Sequence, residues 1–107
     1  MHLHLVGADH EENLGVGLIA ACAEAAGHRV EVLAFNRPEQ AEELALEIAS
    51  AEPDVVGLSM QFQHRGHEFL SLARRLRALG FEGHLTCGGQ YATAAHVEVL
   101  QGGHGVD

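Results

Sequence analysis

The sequence predicts an α/β fold in which a parallel sheet carries helices on both faces. Three observations predict it. Short β-like runs alternate with helical runs along the 107 residues, the connections between them are short, and composition neither shifts nor repeats along the chain. With 47% apolar and 20% charged residues, residues 1–107 read as one domain. A chain of this length buries roughly 60–70% of the surface its unfolded form exposes, which is enough for one modest core.

His2-Leu3-His4-Leu5-Val6 reads as the first strand, stopped by Gly7. After a polar loop, Leu14 to Ala26 is alanine-rich and helical, with Gly27 as its stop. Arg29 to Phe35 is a second strand, because β-branched valines alternate with charged residues at its start. Pro38 then stands where a helix begins, and Glu39, Glu42 and Glu43 suit the positive end of its dipole. That helix carries Ala41, Leu44, Ala45 and Ile48 at helical spacing, a core-facing stripe. Pro53-Asp54 ends it. Val55 to Met60 is a nearly continuous apolar strand, of the kind covered on both faces. A helix over about Gly66 to Leu79 places Phe69, Leu72, Ala73, Leu76 and Leu79 on one side, and Gly80 closes it. His84 to Cys87 is a fourth strand ended by Gly88-Gly89, and a last helix runs from about Thr93 to Leu100.

Alternation of this kind implies right-handed crossovers and the doubly wound, Rossmann-like (flavodoxin-like) arrangement, with strand order 2-1-3-4. Ligands bind such sheets at the carboxyl ends of the strands, so the segments Gly7–Gly15, Ser59–Gly66 and Gly88–Thr93 matter most. Gly105-Val106-Asp107 reads as the approach to a fifth strand, and the sheet is expected to lack that last strand. The chain is therefore expected to be the N-terminal fragment of a longer protein. An unpaired edge on the fourth strand would invite a homodimer.

Charge and cysteine usage narrow the partners. Six arginines and no lysine face fifteen carboxylates, a formal charge of −9 that repels phosphate backbones and argues against nucleic acid. No apolar run approaches the ~18 residues of a membrane span, and the first residues resemble no signal peptide. Cys22 and Cys87 lie far apart in sequence without metal-site spacing, so both are expected to be buried, reduced thiols of a cytoplasmic protein.

The first strand-to-helix loop, Gly7 to Gly17, excludes several common occupants of this architecture. It lacks GxGxxG, and its glutamates would repel a pyrophosphate. It has no lysine for a nucleotide phosphate loop and no serine or threonine for a flavodoxin-type phosphate loop. Ser59 stands where a receiver domain needs an aspartate.

The segments Glu12 to Ala21 and Ala26 to Leu33 resemble the opening of a cobalamin (vitamin B12)-binding domain, of the type found N-terminal to B12-dependent radical S-adenosylmethionine (SAM) enzymes. Pro53 to Ser59 and Cys87-Gly88-Gly89-Gln90-Tyr91-Ala92-Thr93 are similar to that family's third and fourth strand ends, and Gly105-Val106-Asp107 resembles the lead into its fifth strand. The resemblance implies that the corrin lies over the strand ends while its nucleotide tail enters at the sheet edge. Contacts would then come from three segments: Asp9, His10, Glu12, Asn13 and Gly15; Ser59, Met60, Gln61 and Gln63; and Gly88, Gly89, Gln90 and Tyr91. Gly88 and Gly89 would let the tail pass beside bare backbone, although a plain strand-to-helix turn also uses glycines. Ser59 would bond the tail base, and Gln61, Gln63 and Gln90 would meet corrin amides. On this reading, Gly89→Leu blocks the tail and leaves the fold intact.

Methionine-synthase and mutase types of this domain carry Asp-x-His-x-x-Gly, whose histidine ligates cobalt. Here Asp9 and His10 are adjacent and the motif is not matched. His10 is a candidate cobalt ligand from its loop; the alternative is a charged, non-ligating His10 favoured by Glu11 and Glu12. His64 and His67 could line the corrin or a partner surface, and Tyr91 either edges the pocket or packs at a helix start. His2 and His4 share one strand face at a spacing that could grip a metal, yet no third ligand is near in sequence.

The resemblance implies a module that binds cobalamin and presents it to a downstream radical SAM domain for methyl transfer. S-adenosylmethionine and a 4Fe-4S cluster would belong to that domain, because no CxxxCxxC occurs here. Two alternatives stay open: a non-catalytic cobalamin carrier or sensor, and a doubly wound domain binding another small ligand or a metal.

Overall fold

The computed structural model describes residues 1–8, 14–60 and 65–107. The described residues form a four-stranded sheet of β1 (His2–Gly7), β2 (Arg29–Ala34), β3 (Val55–Ser59) and β4 (His84–Gly88), in the order β2-β1-β3-β4. Every neighbouring pair is parallel. Chain connection therefore reverses direction between β1 and β3, the switch point at which such sheets open a ligand crevice.

Helices cover the two faces unequally. Helices α2 (Ala41–Ala51) and α3 (Gly66–Ala78) pack together and close one face over the larger core, which holds Val6, Val56, Leu58 and Leu85 from the strands. Ala41, Leu44, Ala45 and Ile48 of α2 are all buried there, as their spacing predicts. A 3-10 turn, Pro38–Gln40, leads into α2, and the Gln40 side-chain carbonyl accepts from the backbone N–H groups of Asn36 and Arg37. The other face carries α1 (Leu14–Ala25), which packs on β1 and β2 over a small core of Leu5, Val16 and Ala20. Among the described residues no helix covers that face of β3 and β4, and none is long and apolar enough to cross a membrane.

Three expectations change. Leu79 lies just beyond the end of α3 and is exposed, where the chain turns out of the helix at Gly80 with φ +91°. The last helix is two: α4 (Gln90–Ala94) and α5 (His96–Gln101), parted at Ala95. His96 Nδ1 donates to the Thr93 carbonyl at 3.1 Å, and that carbonyl is the acceptor a continuous helix would offer to residue 97. Cys22 is exposed, because α1 is apolar on all sides and can bury only one of them.

The tail reaches the outer edge of β4. Asp107 N–H donates to the Leu85 carbonyl, and the Asp107 carboxylate accepts from Leu85 N–H and from Arg77. Those bonds, the backbone one first, hold the Asp107 carboxyl below its usual pKa. At the opposite edge β2 exposes Arg29, a charge of the kind that discourages strand addition.

Arg65 has no signature in the sequence, yet it ties the site end of the sheet together. It is buried between the Phe35 and Phe69 rings, with its guanidinium carbon 5.0 and 5.2 Å from their centroids. It donates to the Phe35 carbonyl just past β2 and to the Glu68 carboxylate in α3. Arg65→Met keeps the apolar stem but strands both acceptors. We expect it to lower stability by about 2–3 kcal/mol, less than for a fully buried pair because Glu68 is partly exposed. Urea unfolding would show this as a lower midpoint at unchanged slope.

Candidate functional site

The uncovered part of the α1 face forms a cleft of about 330 Å³ at the carboxyl ends of β3 and β4. Its origin lies in side-chain alternation. On β3 and β4, Gly57, Ser59, Thr86 and Gly88 point away from the large core, since Val56, Leu58 and Leu85 point into it. Two of those four positions carry no side chain, so the sheet itself becomes the floor. Leu5 leans over Gly57, where a Cβ would lie 2.9 Å from Leu5 Cδ2. Val16 and Ile19 of α1 form the wall, and Leu58, Cys87 and Gly89 border the rest.

Among the described residues that line the cleft none is charged, and Ser59 and Thr86 are the hydroxyl-bearing ones. A cleft of this kind suits a flat, neutral, mainly apolar group that needs one or two hydrogen bonds. A larger depression of about 630 Å³ lies beside Arg77, Glu82, His84 and Asp107. It is a charged, shallow surface at the amino end of β4, away from the switch point. The smaller cleft is the better ligand site.

The two glycines at the cleft mouth differ in kind. Gly89 has φ +101°, and a Cβ there would lie 2.7 Å from the Met60 carbonyl oxygen. Its lack of a side chain lets the β3 and β4 exits close on each other, with Met60 N–H donating to the Gly88 carbonyl at 2.7 Å and Tyr91 N–H to the Met60 carbonyl at 2.9 Å. At Gly88 a Cβ would meet nothing within 4 Å, so the missing side chain leaves free space. The expectation that Gly89→Leu would leave the fold intact is therefore corrected: both the backbone angle and the Met60 peptide oppose it.

Of the residues expected to contact cofactor, the structure brings Ser59, Gly88 and Gly89 together on the cleft. Gln90 opens α4 and is exposed beside them. Met60 does not join them, because its side chain is 1% exposed and belongs to the core of the other face. Tyr91 packs against the same core and over Gly66, where a Cβ would strike its ring. The backbone of Gly15 lies in the first turn of α1. Asp9, His10, Glu12, Asn13, Gln61, Gln63 and His64 lie outside the described residues, so the His10 ligand assignment does too; His67 is exposed in α3. Leu5, Val16, Ile19, Gly57 and Thr86 are lining residues that sequence reasoning missed. For Gly57 and Thr86 the signal was present: both lie two positions before an expected contact on the same strand face.

Cys87 borders the cleft, but its thiol is no nucleophile at neutral pH. Burial pushes its pKa up to about 11. At pH 8 only about a thousandth of it would be thiolate. Iodoacetamide at pH 8 is expected to modify exposed Cys22 well before Cys87, and peptide mass mapping over time would check the order.

The chain was also compared with known proteins. No curated protein matches the sequence. The B12 binding domain family matches it over residues 5–107, which includes the second half of β1, the other three strands and every lining residue of the cleft. With a parallel sheet opening a neutral, glycine-floored cleft at its switch point, and a match over nearly its whole length, the chain belongs to the B12-binding domain family.

Proposed function

We propose that this chain is a cobalamin carrier module that holds the nucleotide tail of cobalamin in the cleft between β3, β4 and α1. The observation that carries the reading is the floor of that cleft, where Gly57 and Gly88 leave backbone bare beside the Ser59 and Thr86 hydroxyls. Its volume of about 330 Å³ suits one ring system rather than a whole corrin, which would rest outside over the strand ends. Leu5, Val16 and Ile19 would exclude water from the base, Ser59 would hydrogen-bond it, and exposed Gln90 would meet a corrin amide. Bound cobalamin supplies the organometallic chemistry, and this chain's residues bind and orient it.

Presentation of that cofactor to a downstream radical SAM domain, for methyl transfer, is a finer reading. It is supported by the resemblance of the Glu12–Leu33 and Cys87–Thr93 segments to modules that precede such domains. Size-exclusion chromatography of the chain mixed with hydroxocobalamin tests the carrier reading. The corrin absorbance should co-elute with protein at one cofactor per chain, and elution of all cofactor at the small-molecule volume would refute it.

A further inference from the structure

The amino-terminal half of β1 carries a cluster that the cobalamin reading does not use. His2 and His4 are two apart on the strand, so both side chains leave the same face. The parallel register sets Glu31 of β2 directly opposite His4, on the face turned toward α2 and away from the cleft. The strand pairing thus supplies the third donor that the local sequence lacks.

The three donor atoms converge. His4 Nε2 lies 2.7 Å from Glu31 Oε2 and 3.2 Å from His2 Nε2, and His2 Nε2 lies 3.8 Å from the same carboxylate oxygen. The imidazoles meet edge to face, with centroids 4.7 Å apart and planes at 83°, so both Nε2 atoms address one point. A tetrahedral ion with ligands at about 2.0–2.1 Å holds them about 3.3 Å from one another, and the three observed separations bracket that value. Arg29 takes the other carboxylate oxygen, Oε1, at 3.5 Å, which leaves Oε2 to the histidines. Asp54 fixes the start of β1 by accepting from His2 N–H at 2.8 Å. The His4 side chain is 2% exposed, whereas His2 and Glu31 are 18% and 44% exposed, so the cluster is rigid on one side and open on the other.

We propose that His2, His4 and Glu31 form a site for one borderline divalent cation of the zinc class, separate from the cobalamin cleft. Two imidazoles and one carboxylate make a donor set for zinc and its first-row neighbours, whereas calcium and magnesium take all-oxygen sites. The exposed side leaves a fourth position for water. Coordination through His4 Nε2 places the ring proton on Nδ1, which is buried and has no hydrogen-bond partner among the described residues. Such outer partners are worth about ten- to a hundredfold in metal affinity, so binding should be micromolar rather than nanomolar. The bound ion would clip edge strand β2 to β1 and raise the melting temperature by linkage.

Calorimetric titration of cobalamin-free, chelator-treated protein with zinc chloride tests this without reference to the cleft. One zinc per chain should bind with micromolar affinity, and X-ray absorption should show two imidazole nitrogens at about 2.0–2.1 Å. His2→Gln and Glu31→Gln, both at partly exposed positions, should each weaken binding by about tenfold or more and abolish the zinc-induced rise in melting temperature. His96→Gln, remote from the cluster, should bind as wild type does. Absence of saturable binding to the wild-type protein would overturn the site. Wild-type affinity in folded His2→Gln and Glu31→Gln would overturn it equally, by placing the zinc on other histidines.

Discussion

Gly88→Leu is expected to weaken cobalamin binding by about a hundredfold while leaving the fold unchanged. Gly88 ends β4 and lines the cleft, its φ is not in the left-handed region, and an added Cβ meets no atom within 4 Å. The backbone therefore accepts a side chain there, and on the strand face that Gly88 shares with Ser59 it would project over the cleft. A leucine would occupy the space that we propose for the tail base. Excluding about 100 Å² of the base from apolar burial removes about 2.5 kcal/mol, which is about a hundredfold in affinity. Equilibrium dialysis against cyanocobalamin reads the loss, and an unchanged far-UV spectrum and melting temperature would show that the fold is intact. Wild-type affinity in the folded variant would move the tail elsewhere.

The neighbouring substitution should fail for a different reason. Gly89→Leu is expected to lower stability on the order of 2–6 kcal/mol, by adding the strain of a left-handed backbone to an overlap with the Met60 peptide. A Cβ at Gly89 would lie 2.7 Å from the Met60 oxygen and 2.8 Å from its carbon. Relief would require separating the β3 and β4 exits and breaking the bonds from Met60 N–H and Tyr91 N–H that join them. Chemical denaturation would show a much lower midpoint, or no folded protein at all. A loss below about 1 kcal/mol would mean that the exits are less tightly joined than the Met60 and Tyr91 bonds imply. The two glycines thus separate function from architecture: one keeps space for a ligand, and the other lets two peptides approach.

Much of this arrangement was legible in the sequence, for identifiable reasons. The four strands were readable because their apolar runs are short and bounded by glycine or proline, and the parallel order followed from the intervening helices. The α2 stripe was readable because its opposite face is acidic, so burial has only one choice. Helix α1 offers no such choice. Its residues are apolar on all sides, and only the tertiary structure turns Val16 and Ala20 inward and leaves Leu18 and Ile19 exposed, Ile19 on the cleft. The role of Gly89 was partly visible as a Gly-Gly pair, but which glycine faces ligand and which faces backbone depends on φ and on Met60. Arg65 and Glu31 were invisible for another reason. Their partners, Phe35 for the first and the two histidines for the second, sit on other segments and meet them only once the sheet forms.

The tail-in-cleft assignment is tested most directly by comparing cyanocobalamin with dicyanocobinamide, which has the corrin but no nucleotide base. Calorimetric titration of the wild-type chain with each ligand, both kept in the same buffer, isolates the contribution of the base. If the cleft between β3, β4 and α1 holds the base, cobalamin should bind at one per chain and cobinamide at least about a hundredfold more weakly. Equal affinity for the two ligands would contradict the assignment, since the cleft would then contribute nothing to recognition.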